Sequence, residues 1–173
     1  MPTYVALLRG VNVGGRHRIP MVDLRRRFEV LGCDEVRTHI QSGNVIFDRM
    51  SAPDGDAIER DLAETFGFSV PVVLRTAVEM GRVVEHDPFA GLDRSKVHVG
   101  FLGSPPESGA VAACDPEAFT PERFAFRGTT LYLYLPGGMA ATKLPTYLER
   151  HVNVPMTIRN WRTTEALARL AAR

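Results

Sequence analysis

Long apolar runs are missing from this chain of 173 residues: no stretch approaches the ~20 consecutive apolar residues that a membrane-spanning helix needs. Cysteine is scarce too. Cys33 and Cys114 fit no metal or redox spacing, and two cysteines do not make a disulfide framework, so two reduced, buried thiols in a cytoplasmic protein are expected. The opening MPTYVALLRG lacks a basic region ahead of its apolar stretch and a small-residue cleavage site, and no signal peptide is expected. A large excess of one charge is also absent. The net charge is +1, and it is unevenly placed. Residues 1–49 carry eight Arg against five acids, residues 50–100 five bases against nine acids, and residues 101–173 eight bases against six. That balance argues against a surface that coats nucleic acid, which needs a broad basic face, and leaves room for a local cationic site. Lysine is nearly absent: among 21 basic residues only Lys96 and Lys143 are Lys. The five histidines have no metal-ligand spacing, and Asp54, Asp56 and Asp61 match a calcium loop poorly because Gly55 is misplaced. No metal and no cofactor are implied.

What the chain has is an internal echo. VPVVLRTAVEMGRVV from Val70 and VPMTIRNWRTTEALA from Val154 share a frame at an offset of 84 residues. Fixed-offset similarity is the mark of a repeated supersecondary unit. In the first copy TYVALLR reads as a strand. Pro20 opens a helix with Met21, Leu24, Phe28 and Leu31 at helical spacing, and Gly32 ends it. EVRTHI alternates apolar Val36 and Ile40 with polar Arg37 and His39, and reads as a second strand. SGN turns into a third, VIF; Ile58, Leu62, Ala63 and Phe66 mark a helix; VPVVLR is the fourth strand. The second copy runs VHVGFLG, a short helix near Glu107 to Ala113, RFAFR, TTLYLYL, a helix through Leu144 and Leu148, and PMTIR, followed by a final helix capped by Asn160. The expectation is an α+β fold of two ferredoxin-like βαββαβ repeats in tandem with a C-terminal helix. The halves are expected at residues 1–75 and 96–173, joined by a linking helix and loop at 76–95. Pro71 and Pro155 fall in the fourth strand of each copy, an edge strand in this topology, where a missing donor is tolerated.

Two glycine-rich strand-to-helix loops carry the chemistry. LLRGVNVGGRHRIP, residues 7–20, places Gly10, Asn12, Gly14 and Gly15 among Arg9, Arg16, His17 and Arg18. Such glycines can aim several N–H groups at one place, and a helix start nearby adds partial positive charge. The spacing is neither the dinucleotide fingerprint nor a Walker loop. LPGGMAATKL, residues 135–144, repeats the arrangement, with Lys143 expected in the first turn of a helix beside Thr142. Strands 1 and 3 of a unit are read as parallel, which puts this second loop at the end of its sheet where strand 1 exits. The QSGN turn, residues 41–44, is expected at the opposite end of its own sheet from the first loop, and Ser42 lacks a nucleophile elbow. Arg159 and Asn160 are further residues that could face a ligand. Tyr132 and Tyr134 share one face of a central strand, as bases stack in RNA-binding modules, although packing explains them more simply. Arg25, Arg26 and Arg27 are expected mostly on the solvent face of the first helix.

YVALLRGVNVGG, QSGNVIF, KVHVGFLG, LPGGMAATKL and TIRNW, in that order, resemble the bacterial family catalogued as domain of unknown function 1697. The resemblance covers essentially the whole chain. It implies a small cytoplasmic α+β protein with no assigned activity and no catalytic residues to carry over. Family members often hold a Ser before the Lys and a second basic residue in the stretch corresponding to 136–143; here Thr142 takes the Ser place, with Ala140 and Ala141 beside it. The favoured expectation is a monomeric binding protein for a small phosphorylated or carboxylated ligand, held by Arg9, Asn12, Gly14, Gly15, Arg16, Thr142 and Lys143. An enzyme acting on such a ligand is the first alternative, with only Asn12, Ser42 and His17 to suggest as reactive groups. A protein- or nucleic-acid-interaction module is the second.

Overall fold

The computed structural model describes residues 1–173 and is a mixed α+β protein with two four-stranded antiparallel sheets and six helices. Residues 1–82 with 166–173 form one compact unit, and residues 83–165 form the other.

The first unit is built from β1 (Thr3–Leu8), α1 (Met21–Val30), β2 (Asp34–Thr38), β3 (Asn44–Asp48), α2 (Gly55–Phe66) and β4 (Val72–Thr76), with α3 (Ala77–Glu85) following. Its strand order is β2-β3-β1-β4. Local chemistry sets these boundaries. Asp54 caps α2 by accepting hydrogen bonds from the amides of Asp56 and Ala57, at 3.0 and 3.3 Å. Leu24 and Phe28 of α1 and Ile58 and Leu62 of α2 then press onto Ala6, Leu8, Val45 and Phe47 of the two central strands. Arg27 pairs with Asp61 at 2.5 Å and Arg25 donates to the Thr38 hydroxyl at 2.8 Å, so two of the three consecutive arginines are tied to neighbouring elements rather than forming a cationic stripe.

The second unit contains β5 (Val97–Leu102), α4 (Ser108–Ala112), β6 (Arg123–Arg127), β7 (Thr130–Tyr134), α5 (Leu144–Val152) and β8 (Met156–Asn160), with strand order β6-β7-β5-β8. The last helix, α6 (Trp161–Ala171), starts here. Leu102, Leu131, Leu133, Leu144 and Leu148 form its core. Both cysteines are buried and unpaired, and burial pushes both thiols up from their ordinary range.

Three expectations need correcting. Every strand pairing is antiparallel, β1 with β3 and β5 with β7 included. In a β-α-β-β unit the second strand runs with the first, and the hairpin then reverses the third. The 41–44 turn therefore lies at the same end of its sheet as the exit of β1, and the 136–143 loop at the end where β5 begins. Next, β2 ends at Thr38, short of the expected EVRTHI strand, and Ile40 is exposed with a left-handed φ of 54°. Finally, Pro71 and Pro155 stand just ahead of β4 and β8, and each extends the ladder through its carbonyl. Arg9 N–H donates to Pro71 and Gly103 N–H to Pro155, both at 2.9 Å.

Tyr132 is buried, with 1% of its surface exposed, and its hydroxyl donates to the Val83 carbonyl at 2.7 Å. It is an anchor of the second unit and offers no ring to a base. Burial, and secondarily the Asp87 charge, pushes its phenol up to about 12. A raised folded value means stability that is intact below the unfolded value of ~10 and is lost as pH rises through the folded one. Tyr132→Phe is expected to cost about 1 kcal/mol at neutral pH, seen as a midpoint roughly 2–4 °C lower in thermal unfolding. The same substitution removes part of the decline in wild-type stability between pH 10 and about 12; an identical decline in both proteins contradicts the burial of this phenol.

Candidate functional site

The residues after β1 do not form an open flexible loop. Val11 and Ile19 are buried in the first core, pinning both ends of the segment between them. Gly14 and Gly15, at φ 60° and 72°, form the centre of a tight turn closed by Arg16 N–H donating to the Val13 carbonyl at 3.1 Å. Positive φ at both central residues is the type I′ condition, which glycine meets without strain. Asn12 N–H donates to the His17 carbonyl at 3.1 Å, completing a miniature hairpin. The His17 ring lies flat on Phe68, centroids 4.3 Å apart.

The side chain of Asn12 locks this hairpin to the sheet. Its Oδ1 accepts from Ile19 N–H at 2.9 Å, and its Nδ2 donates to the carbonyls of Ile19 at 3.0 Å and Gln41 at 2.7 Å. Beneath it, each letter of QSGN has a structural duty. Gln41 supplies the carbonyl just named. Gly43, at φ 83°, brings its backbone so close to β1 that a Cβ there would stand 2.8 Å from the Leu8 Cβ. Its carbonyl accepts from Leu8 N–H at 2.9 Å. The buried Asn44 amide donates to the His39 carbonyl at 3.0 Å and the Ser42 hydroxyl at 3.2 Å.

The result is a hollow of about 380 Å³ lined by Asn12, Gly15, Arg18, Ile19, Pro20 and Gln41. Arg18 is exposed on its wall; Arg9 and Arg16, also exposed, lie on the same segment of chain outside the lining. The helix α1 starts at its edge, with Pro20 at the N-cap providing no side-chain acceptor for the first-turn amides. Gln41, Ile19 and Pro20 were not among the expected site residues. The antiparallel register was the signal that places Gln41 here.

The other expected residues lie in the second unit. Thr142 is committed: its hydroxyl donates to Glu122 at 2.9 Å and accepts from Leu144 N–H at 3.1 Å. Lys143 is the exposed N-cap of α5, not a first-turn residue, and Pro145 removes one of the first-turn N–H groups that an anion would use. Arg159 is buried; it donates to the Thr157 hydroxyl at 2.7 Å and the Ile158 carbonyl at 3.0 Å, and burial draws its guanidinium down to about 10. Asn160 caps α6 by accepting from Thr163 N–H at 2.8 Å. The 136–143 loop and the end of β8 share one end of the second sheet, both beside the start of β5. Of the expected residues, Asn12 and Gly15 line the hollow, Arg9, Gly14 and Arg16 lie on the same segment of the first unit without lining it, and Thr142, Lys143, Arg159 and Asn160 belong to the second unit.

A family model described as "Protein of unknown function (DUF1697)" matches residues 1–132. The chain belongs to the DUF1697 family. No curated protein matches it. Among solved structures, the conserved bacterial protein SP0830 from Streptococcus pneumoniae is similar over 100% of this chain and 99% of its own, at 20% sequence identity and a TM-score of 0.71, a likeness of fold. The span matched to DUF1697 contains the 10–19 hairpin and the 41–44 turn, and ends before the 136–143 loop and Arg159. No helix of the DUF1697 chain is long and apolar enough to cross a membrane.

Asn12→Ala removes three hydrogen bonds and leaves the Ile19 and Gln41 groups to find other partners. A loss of about 2–3 kcal/mol is expected, read as a midpoint roughly 5–10 °C lower in thermal unfolding. An unchanged midpoint contradicts the locking role.

Proposed function

We propose that this chain binds a small phosphorylated or carboxylated ligand in the hollow beside the 10–19 hairpin. The observation that carries the reading is the Asn12 carboxamide, which fixes the hairpin against the 41–44 turn before any ligand arrives. A binding loop already ordered in the free protein loses less entropy on association. Arg18 lines the hollow with its side chain exposed, Arg16 is exposed on the same hairpin, the Gly14 and Gly15 amides have no partner within the chain, and the start of α1 is uncapped. Guanidinium forks and backbone N–H groups are the donors that phosphate and carboxylate oxygens take. Asn12 acts here as a positioning residue, and its amide is not a ligand contact. Lys143 and Thr142 are not part of the proposed site, since the Thr142 hydroxyl is bonded to Glu122.

We also read the two units as tandem ferredoxin-like repeats. Support comes from the equivalent strand orders and from Arg75 and Arg159, 84 residues apart, both buried and each donating Nη1 to the carbonyl of the preceding residue.

The test is thermal unfolding at low salt with inorganic phosphate, citrate and a nucleoside monophosphate, on wild type and on Arg16→Gln/Arg18→Gln. A ligand at 100 times its dissociation constant adds about 2.7 kcal/mol, a rise of roughly 5–10 °C for a chain of this size. The expected result is such a rise with at least one of these anions, largely lost in the double variant. A rise of equal size in both proteins, or none with any anion, overturns the reading.

A further inference from the structure

A second cavity, of about 470 Å³, lies wholly within the second unit and is lined by Arg94, Ser95, Asn160, Trp161, Arg162 and Glu165. Arg94 forms a wall, not a binding group. Its guanidinium lies over the Trp161 ring, 4.9 Å from the centroid. All three of its nitrogens already donate: Nε to the Leu92 carbonyl at 3.2 Å, Nη1 to Asp87 at 2.5 Å and Nη2 to the Phe89 carbonyl. Asp87 is buried and compensates its charge. Ser95 is engaged with Asp93 at 2.8 Å, and Asn160 Oδ1 with Thr163 N–H.

What remains is a pair of charges of opposite sign on α6. Arg162 and Glu165 are both exposed, both line the cavity, and neither side chain is paired with any other protein group. Three residues apart on a helix, they are neighbours on one face, with Cβ atoms roughly 5–6 Å apart. A lining with one cation, one anion and an internally neutralised Arg94–Asp87 pair has no preference for a net anion, unlike the hollow of the first unit. It matches a ligand that carries both charges close together. We infer that this cavity takes a free α-amino acid, its carboxylate on Arg162, its ammonium on Glu165 and its apolar side chain along the Arg94–Trp161 wall. Both contacts are charge-assisted, and a cavity of this volume is within the range that encloses small organic ligands.

Trp161 is the only tryptophan of the chain, so its fluorescence reports on this cavity directly. The experiment titrates the intact protein with L-leucine and L-phenylalanine, and with their N-acetyl and carboxamide forms, which each lack one charge. Wild type, Arg162→Gln and Glu165→Gln are compared; both sites are exposed, and an unchanged unfolding midpoint verifies the fold of each variant. The expected result is a saturable change with at least one free amino acid, about tenfold weaker for either blocked form and for either variant. In Arg162→Gln the carboxamide form should bind as well as the free acid, because the carboxylate has lost its partner. No saturable change with either amino acid overturns the inference. So does equal binding of free and blocked forms to wild type, or binding that survives both substitutions.

Discussion

The Asn12 carboxamide is the contact on which the candidate site of the first unit depends. Amide groups that bridge backbone segments act as a substitute for secondary structure: one side chain satisfies a donor and two acceptors that neither a helix nor a sheet would reach. Here those groups belong to Ile19 at the return of the hairpin and Gln41 in the turn between β2 and β3, so a single residue couples three stretches of backbone. Asn12 itself sits at φ 56°, in the left-handed region that Asn tolerates better than most residues. The same residue type thus meets both the backbone and the side-chain requirement.

The coupling works only because the turn comes close. Leu8 N–H reaches the Gly43 carbonyl at 2.9 Å, an approach that a Cβ at position 43 would block. Asn44 is buried below and stiffens the turn from inside. Left-handed backbone is concentrated at this end of the first unit: Gly10, Asn12, Gly14, Gly15, His17, Ile40 and Gly43 all have positive φ. Ile40 is the costly member, since a β-branched residue there is strained. At Asn12, His17 and Ile40, which are not glycine, surrounding packing and hydrogen bonds hold a backbone conformation the chain would not choose alone.

Much of the fold was readable from residue pattern. Helical spacing of Leu24 and Phe28, the Asn160 cap and the glycine stops gave the elements close to their observed limits, because each signal is local. What pattern reading got wrong was directional. Treating strands 1 and 3 as parallel moved the 41–44 turn to the far end of the sheet and concealed its bond with Asn12. The basic character of the hairpin was legible in Arg16 and Arg18, whereas the role of Asn12 was not, since a side chain that bonds backbone looks the same in sequence as one that awaits a ligand. Thr142 illustrates the converse: a hydroxyl that suits an anion in sequence is held by Glu122, a partner 20 residues away that no local pattern reveals. Arg162 and Glu165 carry no signal of their own in the sequence, because the cavity beside them depends on how Arg94 folds over Trp161.

The Asn12 side chain holds the hairpin before any ligand binds. Ile19 N–H, which donates to Asn12 Oδ1 at 2.9 Å, and Asn12 N–H, which donates to His17, are its reporters. Amide hydrogen exchange of the ligand-free protein measures both. A locked hairpin predicts protection of these two amides approaching that of Leu8 N–H in the adjoining sheet, falling sharply in Asn12→Ala. Exchange at the rate of an unstructured loop in the wild-type protein would contradict it.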